Sequence, residues 1–577
     1  MTPRIHATTG LLAACLMAGQ AVAAPVLPEA IAINQVGFTP LATKQALLPA
    51  TVRGPVEVID LDSGRRVLSR WPGPARHWAP AGQAVRLVDL SALRQPGRYR
   101  LRAAGVADSP SWRVDPQAYV ALNAAAIRAF TFNRASIALT PEVAGRWARA
   151  AGHPDTEVLV HASAAGPSRP EGSRVSSPGG WYDAGDYNKY VVNSAISVAT
   201  LLLAQAHFPA FFATQRVGLP DSTPGQPDLV QELRWNLDWM LSMQDPTDGG
   251  VYHKLSNAGF DGVVMPAEAT APRYLVAKSS AAALDLAATA ALAARVLGAQ
   301  RLLREGEGAR LRLAAERAWT WAQSHPRQGF RQPEGIHTGG YGDEQLDDEQ
   351  AWAAAELFAL TGEARYRAAL DLPRLGIEVP GWNQVSALAW LALADARTRL
   401  PAPQRALPAQ RLRGLADTLA ARWRDSAAGV SLQVTDFGWG SNGGALNQAL
   451  VLLQSARQGG PRAHLDAAQA LLDHVLGRNL LGHSQVTGFG SRSPQHPHHR
   501  PSMADGIDAP VPGFVVGGPN AGRDDAAHCP VPYARTEPAL AWLDHDCSYA
   551  SNEVAINWNA PLVYVTAALQ VLGGRSR

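Results

Sequence analysis

The chain has 577 residues, of which 46% are hydrophobic and 18% are charged, a composition typical of a globular protein with two or more cores. Its formal charge of +3 is nearly balanced, and it contains no long basic or acidic run. Nothing in this pattern points to nucleic acid or to an anionic membrane surface as a partner.

The first 23 residues are predicted to be an export signal. Arg4 supplies a positive start, an apolar run extends from Leu11 to Ala18, and Ala21-Val22-Ala23 forms a small-residue cleavage site. The protein is therefore expected to be secreted or periplasmic. The segment ending at Cys15 also resembles a lipoprotein cleavage site, so a lipid-anchored form is the alternative. The apolar run is too short for a membrane anchor, and no later stretch is apolar enough to span a bilayer.

Residues 24–116 are predicted to form a small all-β sandwich. Ile31-Ala32-Ile33, Val56-Glu57-Val58 and Tyr99-Arg100-Leu101-Arg102 alternate apolar side chains with polar or small ones, as half-buried strands do. Turn signals such as Asp62-Ser63-Gly64 and Gln95-Pro96-Gly97 separate these runs. The segment contains no cluster of catalytic side chains, so we expect it to have a structural role.

Residues 117–577 are predicted to be mainly helical. Leu229, Leu233 and Leu237 recur every four residues on one helical face, with Asp228 as the expected N-cap. An alanine-rich helix from about Ser279 is expected to end at Gly298. About a dozen helices with long loops favour a barrel of paired helices, although periodicity alone does not exclude other all-helical folds. The remaining predicted helices span 193–207, 307–324, 348–360, 385–397, 408–424, 444–455, 462–476 and 551–571.

The first loop with unusual chemistry places two carboxylates three positions apart. Asp183 and Asp186 are separated only by alanine and glycine, which allow a tight turn close to a ligand. Trp181 and Tyr182 come directly before them, and an aromatic face beside a carboxylate suits a sugar ring. A turn with solvated aspartates and packed aromatic rings is the alternative.

The second loop combines histidine and arginine with glycine and proline. It runs from Gly482 to Gly490 and ends in Pro497-His498-His499-Arg500. Histidine and arginine donate hydrogen bonds to hydroxyl groups, so this loop is predicted to bind substrate. A solvated basic loop is the alternative.

The third loop contains Trp542-Leu543-Asp544 and then the segment from Tyr549 to Pro561. Asn552 and Glu553 stand at the predicted start of an otherwise apolar helix. They are candidate site residues, and the alternative is that they simply begin the helix.

Together the three loops resemble glycoside hydrolase family 9, the inverting cellulase-type family. The second loop matches the family signature from Ser484 to Arg500, and the third matches from Trp542 to Ala560. Near the N-terminus, the segment Ile33 to Phe38 resembles the opening of an immunoglobulin-like module found in one branch of the family. The resemblance implies a mainly α fold, with an (α/α)6 barrel at 117–577 behind an immunoglobulin-like β-sandwich at 24–116.

The resemblance also implies the division of roles. An inverting glycosidase needs a carboxylic acid to protonate the leaving oxygen and a carboxylate to activate water, roughly 6.5–9.5 Å apart. By resemblance Glu553 is the acid, Asp186 is the base, and Asp183 helps to hold the water. His498 and Asp544 belong to the active site.

Several side chains are candidates for binding the sugar chain. By resemblance Arg500 binds hydroxyl groups, and Trp558 and Tyr549 are candidates for stacking on sugar rings. Trp181 and Trp439 lie on loops and are further candidates, although packing in the core explains them equally well.

A metal is expected to be structural only, because the chemistry requires no cofactor. Asp343 and the run Asp347-Asp348-Glu349 gather oxygen ligands that suit calcium, as the resemblance implies. A solvated acidic helix start is the alternative. Some relatives hold zinc through cysteines and histidines, but only His153 and His161 are present here, so zinc is not expected.

Two cysteines remain after the predicted signal. In an exported chain Cys529 and Cys547 are expected to form a disulfide, with two buried free thiols as the alternative.

The predicted function is inverting hydrolysis of β-1,4-glucosidic bonds by an endoglucanase that acts as a monomer on cellulose-like or mixed-linkage glucans. One alternative is an exo-acting β-glucosidase or glucosaminidase of the same family, which the long insertion between Arg492 and Asp544 would favour by closing one end of the cleft. A glucan-binding protein without catalysis is the other alternative, but binding alone does not require Asp183, Asp186 and Glu553.

Overall fold

The computed structural model describes residues 30–574, so the predicted export signal and the lipoprotein-like segment lie outside the described residues. The N-terminal part is a sandwich of two antiparallel sheets, with strand orders β1-β5-β4 and β3-β2-β6-β7. Its strands are β1 (Gln45–Pro49), β2 (Val56–Asp60), β3 (Arg66–Arg70), β4 (Arg76–Trp78), β5 (Gln83–Asp89), β6 (Gly97–Arg102) and β7 (Trp112–Val114).

The core of the sandwich is formed by strands whose buried and exposed side chains alternate. In β6, Tyr99 and Leu101 are buried between the sheets, while the arginines on either side of them are exposed. The run Ile31-Ala32-Ile33 is not a strand, because it makes only isolated bridges, from Ala30 to Ala107 and from Ala32 to Leu47.

The rest of the described chain is dominated by helices, as the sequence predicts. They are α1 (Val120–Phe132), α2 (Pro141–Ala144), α3 (Val191–His207), α4 (Pro209–Thr214), α5 (Asp228–Ser242), α6 (Ser280–Ala299), α7 (Glu307–Ser324), α8 (Asp347–Thr361), α9 (Ala364–Ala368), α10 (Ser386–Asp395), α11 (Leu407–Asp425), α12 (Ser441–Arg457), α13 (Arg462–Val475), α14 (Arg500–Ala504), α15 (Tyr549–Asn552) and α16 (Ile556–Leu572).

Twelve of these helices form an (α/α)6 barrel, which confirms the predicted fold class. The inner helices α12, α16, α3, α6, α8 and α10 contact one another in that order, and the outer helix α11 contacts both α10 and α12. Each inner helix also packs against an outer partner: α13, α1, α5, α7, α9 and α11, respectively. The inner helices are buried around their whole circumference, so a window of α6 such as Ala281–Ala294 contains almost no polar residue.

Two predicted helix ends are wrong. Asp228 does not cap α5, because its carboxylate accepts hydrogen bonds from the Val217 amide at 2.7 Å and from Ser222. Gly298 does not end α6, which continues to Ala299. For Asp228, contacts outside the helix override the local signal.

A five-stranded sheet in the helical domain is not predicted by the sequence. Its order is β10-β11-β12-β8-β9, and it lies beside the barrel loops that carry the candidate site. Its strands are β8 (Val158–Val160), β9 (Arg174–Val175), β10 (Lys189–Tyr190), β11 (Tyr252–Asn257) and β12 (Arg273–Lys278). Because all six residues of β11 are buried, it lacks the alternation by which strands are recognised.

The prediction that no stretch after the signal is apolar enough for a bilayer is corrected by α6. Among the described residues this one helix is long and apolar enough to cross a membrane, but 89% of the relevant window is buried inside the protein. Its apolar composition is explained by its position in the barrel core.

The sandwich is joined to the barrel through the outer face of its three-stranded sheet. Trp78 at the end of β4 is 4% exposed and packs edge-on against Phe437 and His474 of the barrel. Asn34 donates a hydrogen bond to the buried carboxylate of Asp473 at 2.8 Å. The two domains therefore share one continuous apolar core at this face.

Replacing Trp78 with alanine should destabilise the whole protein, because a large buried ring would leave a cavity between the domains. We expect the free energy of unfolding to fall by about 3–5 kcal/mol, measured by chemical denaturation. Trp71→Ala is the matched control, since Trp71 lies in the same domain and is 71% exposed. Equal stability of the two variants would mean that the interface contributes little.

Candidate active site

The turn that carries Asp183 and Asp186 is held so closely by its neighbours that only glycine fits at two positions. Gly180 has φ +77°, and a Cβ atom there would lie 2.7 Å from the ring of Trp239. A Cβ atom on Gly185 would lie 2.3 Å from the carbonyl oxygen of His498. The second contact joins the first predicted loop to the second.

Asp183 is buried, and each of its carboxylate oxygens accepts one hydrogen bond. Its Oδ1 accepts from Asn193 Nδ2 at 2.7 Å, and its Oδ2 accepts from the Tyr341 hydroxyl at 2.6 Å. Burial and the charge of Asp186 raise the pKa of Asp183 to about 7, against the effect of these two hydrogen bonds. The side chain is thus fixed in orientation and is adjacent to a second carboxyl group.

Asp186 is 5% exposed, and one of its oxygens accepts a hydrogen bond from Asn188. Burial raises the pKa of Asp186, while the Arg500 guanidinium, the bond from Asn188 and the charge of Arg273 lower it. Among the described residues, hydrogen bonds to this carboxylate come only from Asn188, through its side chain and its backbone amide. The two oxygens therefore keep acceptor capacity for a water molecule, as a general base must.

Glu553 does not begin a helix, contrary to the prediction. The short helix α15 ends at Asn552, and Glu553 has an extended backbone with φ −68° and ψ 157° before α16 starts at Ile556. It forms a parallel bridge with His498, and its carbonyl oxygen accepts from the Gly517 amide at 2.8 Å. Strand-like pairing between two loops therefore positions the candidate acid.

The carboxyl group of Glu553 meets the catalytic turn directly. The Gly185 amide donates to Glu553 Oε1 at 3.3 Å, and the Ile556 amide donates to the Asp183 carbonyl oxygen at 2.9 Å. Burial, followed by the charges of Asp186 and Asp183, raises the pKa of Glu553 well above its usual value. The pKa of Glu553 is thus raised more strongly than that of Asp186, and such a difference between two neighbouring carboxyl groups suits acid–base catalysis.

The ring of His498 is fixed by a hydrogen bond through its Nδ1. Its Nδ1 lies 2.6 Å from the carbonyl oxygen of Asp546, so Nδ1 carries the proton of the neutral ring. Burial lowers the pKa of His498, which keeps the ring neutral. Nε2 is therefore an acceptor for a hydroxyl group, whereas the sequence suggested a donor.

Arg500 lies at the edge of the same site, but most of its hydrogen-bonding capacity is used within the protein. Nε donates to the Asp261 carbonyl oxygen at 3.0 Å and Nη1 to the Gly185 carbonyl oxygen at 2.9 Å. Its guanidinium also lies 5.7 Å from the ring of Phe260, which is 53% exposed. Only Nη2 has no hydrogen bond to the described residues and can bind a sugar hydroxyl.

Asp544 braces the loops and has no described contact with the three candidate catalytic carboxyl groups. Its carboxylate accepts from the amides of Gln495 and His496 and from Asn552 Nδ2 at 3.1 Å. It thereby holds the loop before His498 against the segment before Glu553. This geometry supports a positioning role for Asp544.

The four tryptophan and tyrosine residues considered for stacking on sugar rings differ in how far their rings are exposed. Trp181 is fully buried and donates from Nε1 to Glu232 at 2.8 Å, so it cannot stack on a sugar. Trp439 is 50% exposed and lies 5.6 Å from the ring of Tyr549, which in turn lies 6.1 Å from His498. Trp558 is half-buried against the glycine-rich start of α12. Trp439 and Tyr549 remain the better stacking candidates.

The acidic residues that lie together in the structure differ from the set predicted to bind calcium. Glu349 and Asp343 are buried, Asp348 accepts from the Val385 amide at 2.7 Å, and Asp347 is exposed at the start of α8. Asp285, from the middle of α6, completes the group and is 1% exposed.

The buried acidic group is electrostatically costly without a counter-ion. No described amide, hydroxyl or cationic group donates a hydrogen bond to Asp285 or Glu349. The carboxyl group of Glu349 is instead close enough to share a hydrogen bond with the carboxyl groups of Asp348 and Asp343. Burial, followed by the charges of Asp285 and Asp348, raises the pKa of Glu349 to about 11. A bound cation would offset this cost, and oxygen ligands are the type that calcium prefers. In this structure, however, no three of these residues have ligand oxygens within 4.8 Å of one another.

Cys529 and Cys547 form a disulfide, which ties the insertion after α14 to the segment before α15. Among the described residues, Cys529, Cys547 and His545 form the one set of three or more histidine, cysteine, aspartate or glutamate residues whose ligand atoms all lie within 4.8 Å of one another. The sulfur atoms are bonded to each other, however, so they are not free to bind a metal.

Sequence reasoning missed the groups that hold Asp183 in place. Tyr341 has a left-handed backbone, with φ +49°, and lies in a loop more than 150 positions after the aspartate that it contacts. Asn193 lies in the first turn of α3 and reads as an ordinary helix residue. No local pattern distinguishes either side chain; only the Gly339-Gly340 pair before Tyr341 indicates a special turn.

Two family patterns match the chain and leave little of the described part uncovered. Residues 119–566 match glycosyl hydrolase family 9, and residues 28–108 match the cellulase N-terminal ig-like domain. A xyloglucan-specific endo-beta-1,4-glucanase of Bacteroides ovatus is 39% identical, over 96% of this chain and 97% of the relative. Endoglucanase D of Acetivibrio thermocellus is 29% identical, over 93% and 83% of the two chains.

Solved structures agree with these matches. A Bacteroides ovatus GH9 structure superposes with a TM-score of 0.87 and 37% identity, covering 94% of this chain and 99% of the other. A mutant thermostable endoglucanase from Alicyclobacillus acidocaldarius gives a TM-score of 0.84 and 34% identity, covering 94% and 100%. The predicted resemblance is confirmed along both domains. The chain, a glycoside hydrolase with an immunoglobulin-like module, therefore belongs to glycosyl hydrolase family 9.

Proposed function

We propose that this enzyme is an inverting endo-β-1,4-glucanase in which Glu553 is the general acid and Asp186 the general base. The observation that carries the proposal is the junction at Gly185, whose amide contacts the Glu553 carboxyl group within the turn that holds Asp186. Asp183, fixed by Tyr341 and Asn193, holds the nucleophilic water together with Asp186. His498 accepts from a sugar hydroxyl, and Arg500 donates through Nη2.

The substrate is a β-1,4-glucan backbone, and a branched xyloglucan is our first candidate. The support is the xyloglucan-specific relative of Bacteroides ovatus, which matches over nearly the full length of both chains. Two exposed aromatic rings, Trp439 beside Tyr549 and Phe260 beside Arg500, offer surfaces for sugar units beyond the cleaved bond. Initial rates on xyloglucan, carboxymethylcellulose and mixed-linkage glucan would rank the three candidates.

Inversion makes a direct stereochemical prediction. Water held by Asp183 and Asp186 attacks from the face opposite the leaving group, so the fresh reducing end should be the α-anomer. Proton NMR of a cello-oligosaccharide digest in its first minutes would show this before mutarotation. A predominant β-anomer at early times would exclude this pair of roles.

Endo action predicts products of mixed length. Cellohexaose should yield two or three different oligosaccharide pairs at the earliest times, because an open cleft accepts the chain in several registers. Release of one fixed unit from an end would instead support the exo-acting alternative, and no release at all would support a binding protein.

We further propose that calcium occupies the buried acidic group. Asp285, Asp343, Asp348 and Glu349 would hold it, and its charge would offset the repulsion among them. Removing calcium with EGTA should lower the melting temperature by several degrees, and calcium in excess should restore it. The matched variant Asp285→Asn should abolish the calcium-dependent shift, whereas Asp347→Asn should retain it. An unchanged melting temperature in EGTA would contradict calcium binding.

A further inference from the structure

Three buried ionic side chains lie beneath the catalytic turn and are not used by the mechanism above. Asp155 Oδ2 lies 2.7 Å from Lys189 Nζ, and Asp155 Oδ1 lies 3.2 Å from Arg273 Nε. The side chains of Lys189, Asp155 and Arg273 are 0%, 1% and 7% exposed. One anion therefore holds two cations in the interior.

Each cation holds one end of the catalytic turn. Lys189 Nζ donates to the Gly179 carbonyl oxygen at 2.7 Å, four residues before Asp183. Arg273 Nη1 donates to the Tyr187 carbonyl oxygen at 2.7 Å, directly after Asp186. The two candidate catalytic aspartates lie between these fixed points, so the cations set the path of the backbone that carries them.

Asp155 itself is held in a conformation that non-glycine residues rarely adopt. Its φ is +49°, and His153, two residues earlier, has φ +50°. Such residues persist where the surroundings fix them, and here the Ser177 amide donates to the Asp155 carbonyl oxygen at 2.8 Å. Burial opposes ionisation, but Arg273 and Lys189 outweigh it and hold the pKa of Asp155 below its usual value. The anion therefore stays charged at neutral pH.

We propose that Asp155 is a positioning residue for catalysis, which clamps both ends of the 179–187 turn through Lys189 and Arg273. This rests on the proposed roles of Asp183 and Asp186. The clamp keeps the water-holding carboxylates at a fixed distance from the Glu553 carboxyl group. Arg273 also donates to Asn257 Oδ1 at 3.0 Å, whose own backbone amide donates to Asn188, the residue that orients Asp186.

If Asp155 had only a structural role, restoring stability would also restore kcat, whereas a clamp predicts that kcat stays low. A charge-balanced variant distinguishes these two outcomes. Asp155→Asn removes the anion and leaves two buried cations unopposed. The double variant Asp155→Asn with Lys189→Met keeps the net charge of the buried group at its original value while removing the hold on Gly179. We expect it to recover stability relative to the single variant but not to recover kcat.

The matched control is an equally buried ion pair away from the site. Glu307 and Arg234 lie 2.8 Å apart on α7 and α5, with side chains 5% and 2% exposed. Glu307→Gln, alone and with Arg234→Met, should change the melting temperature without changing kcat.

The measurements are kcat and KM on a cello-oligosaccharide, taken well below the melting temperature of each variant. We expect both Asp155 variants to lose about 10²-fold in kcat, since a displacement of about 1 Å has that effect, while KM stays within about twofold. If the single variant does not fold, kcat of the double variant alone tests the proposal.

Recovery of kcat in the charge-balanced variant, or an equal loss in the Glu307 variants, would overturn the clamp. Failure of the clamp leaves the roles of the carboxylates intact. Those roles are tested separately by the dependence of the Asp186 and Glu553 variants on the leaving group.

Discussion

Glu553→Gln should abolish hydrolysis of ordinary glucans while sparing substrates that need no acid. The amide keeps the shape of the side chain but cannot donate a proton to the glycosidic oxygen. We expect a loss of about 10²–10⁴-fold on cello-oligosaccharides. An aryl β-cellobioside with an activated leaving group should lose far less, because such a group departs without protonation.

The pH profile gives a second readout of the same variant. Burial and the neighbouring carboxylates raise the pKa of Glu553 well above its usual value, so the acid is protonated at low pH and loses activity as pH rises through that pKa. On the activated substrate this alkaline limb should be absent in Glu553→Gln. Glu356→Gln is the control. Glu356 is a buried residue of α8 that pairs with Arg295 of α6, and it lies outside the site. An equal loss on both substrates would contradict the role of Glu553 as acid.

Asp186→Asn should inactivate the enzyme on every substrate, because no leaving group replaces an activated water. We expect a loss of about 10³-fold or more on both the cello-oligosaccharide and the aryl β-cellobioside. Asp183→Asn should have an intermediate effect on both, as loss of water positioning would. The comparison requires only initial rates for the two variants on the two substrates.

Substrate affinity provides the control for Asp186. Binding of a cello-oligosaccharide to Asp186→Asn, measured by calorimetry, should remain within about threefold of the unmodified enzyme, since the lost interaction belongs to the transition state. If Asp186→Asn matched Glu553→Gln in its dependence on leaving group, the assignment of acid and base would be reversed or wrong.

The helices of the barrel could be predicted from their apolar faces, whereas their arrangement as a barrel was implied by the family resemblance, because periodicity alone does not exclude other all-helical folds. The helix predicted at 307–324 is found at those residues, since exposed charged positions alternate with a buried face that begins at Leu311. The signature loops that contain Asp183, Asp186 and Glu553 were equally recognisable, and the family match confirms the resemblance that they carry. These features are local and therefore visible in a single sequence. The roles assigned to the three residues stay predictions.

The supports of the site could not be predicted, because they are distant in the chain. Tyr341 contacts Asp183 across 158 positions, and Asp155 meets Arg273 across 118. The conformation of Glu553 depends on pairing with His498, which outweighs the helical pattern on either side. By sequence Trp181 could either stack on a sugar or pack in the core, and its hydrogen bond to Glu232 places it in the core.

The contact between Gly185 and Glu553 has a consequence for protein synthesis. The two residues are 368 positions apart, and at about 5–20 residues per second a ribosome needs roughly 20–70 s to make that stretch. Throughout that interval the turn with Asp183 and Asp186 has no acid partner. Helices α1, α3 and α12 also lack α16, the helix that covers them. A chain interrupted before residue 553 would thus lack the proposed acid and leave apolar helix faces open to proteases and to aggregation.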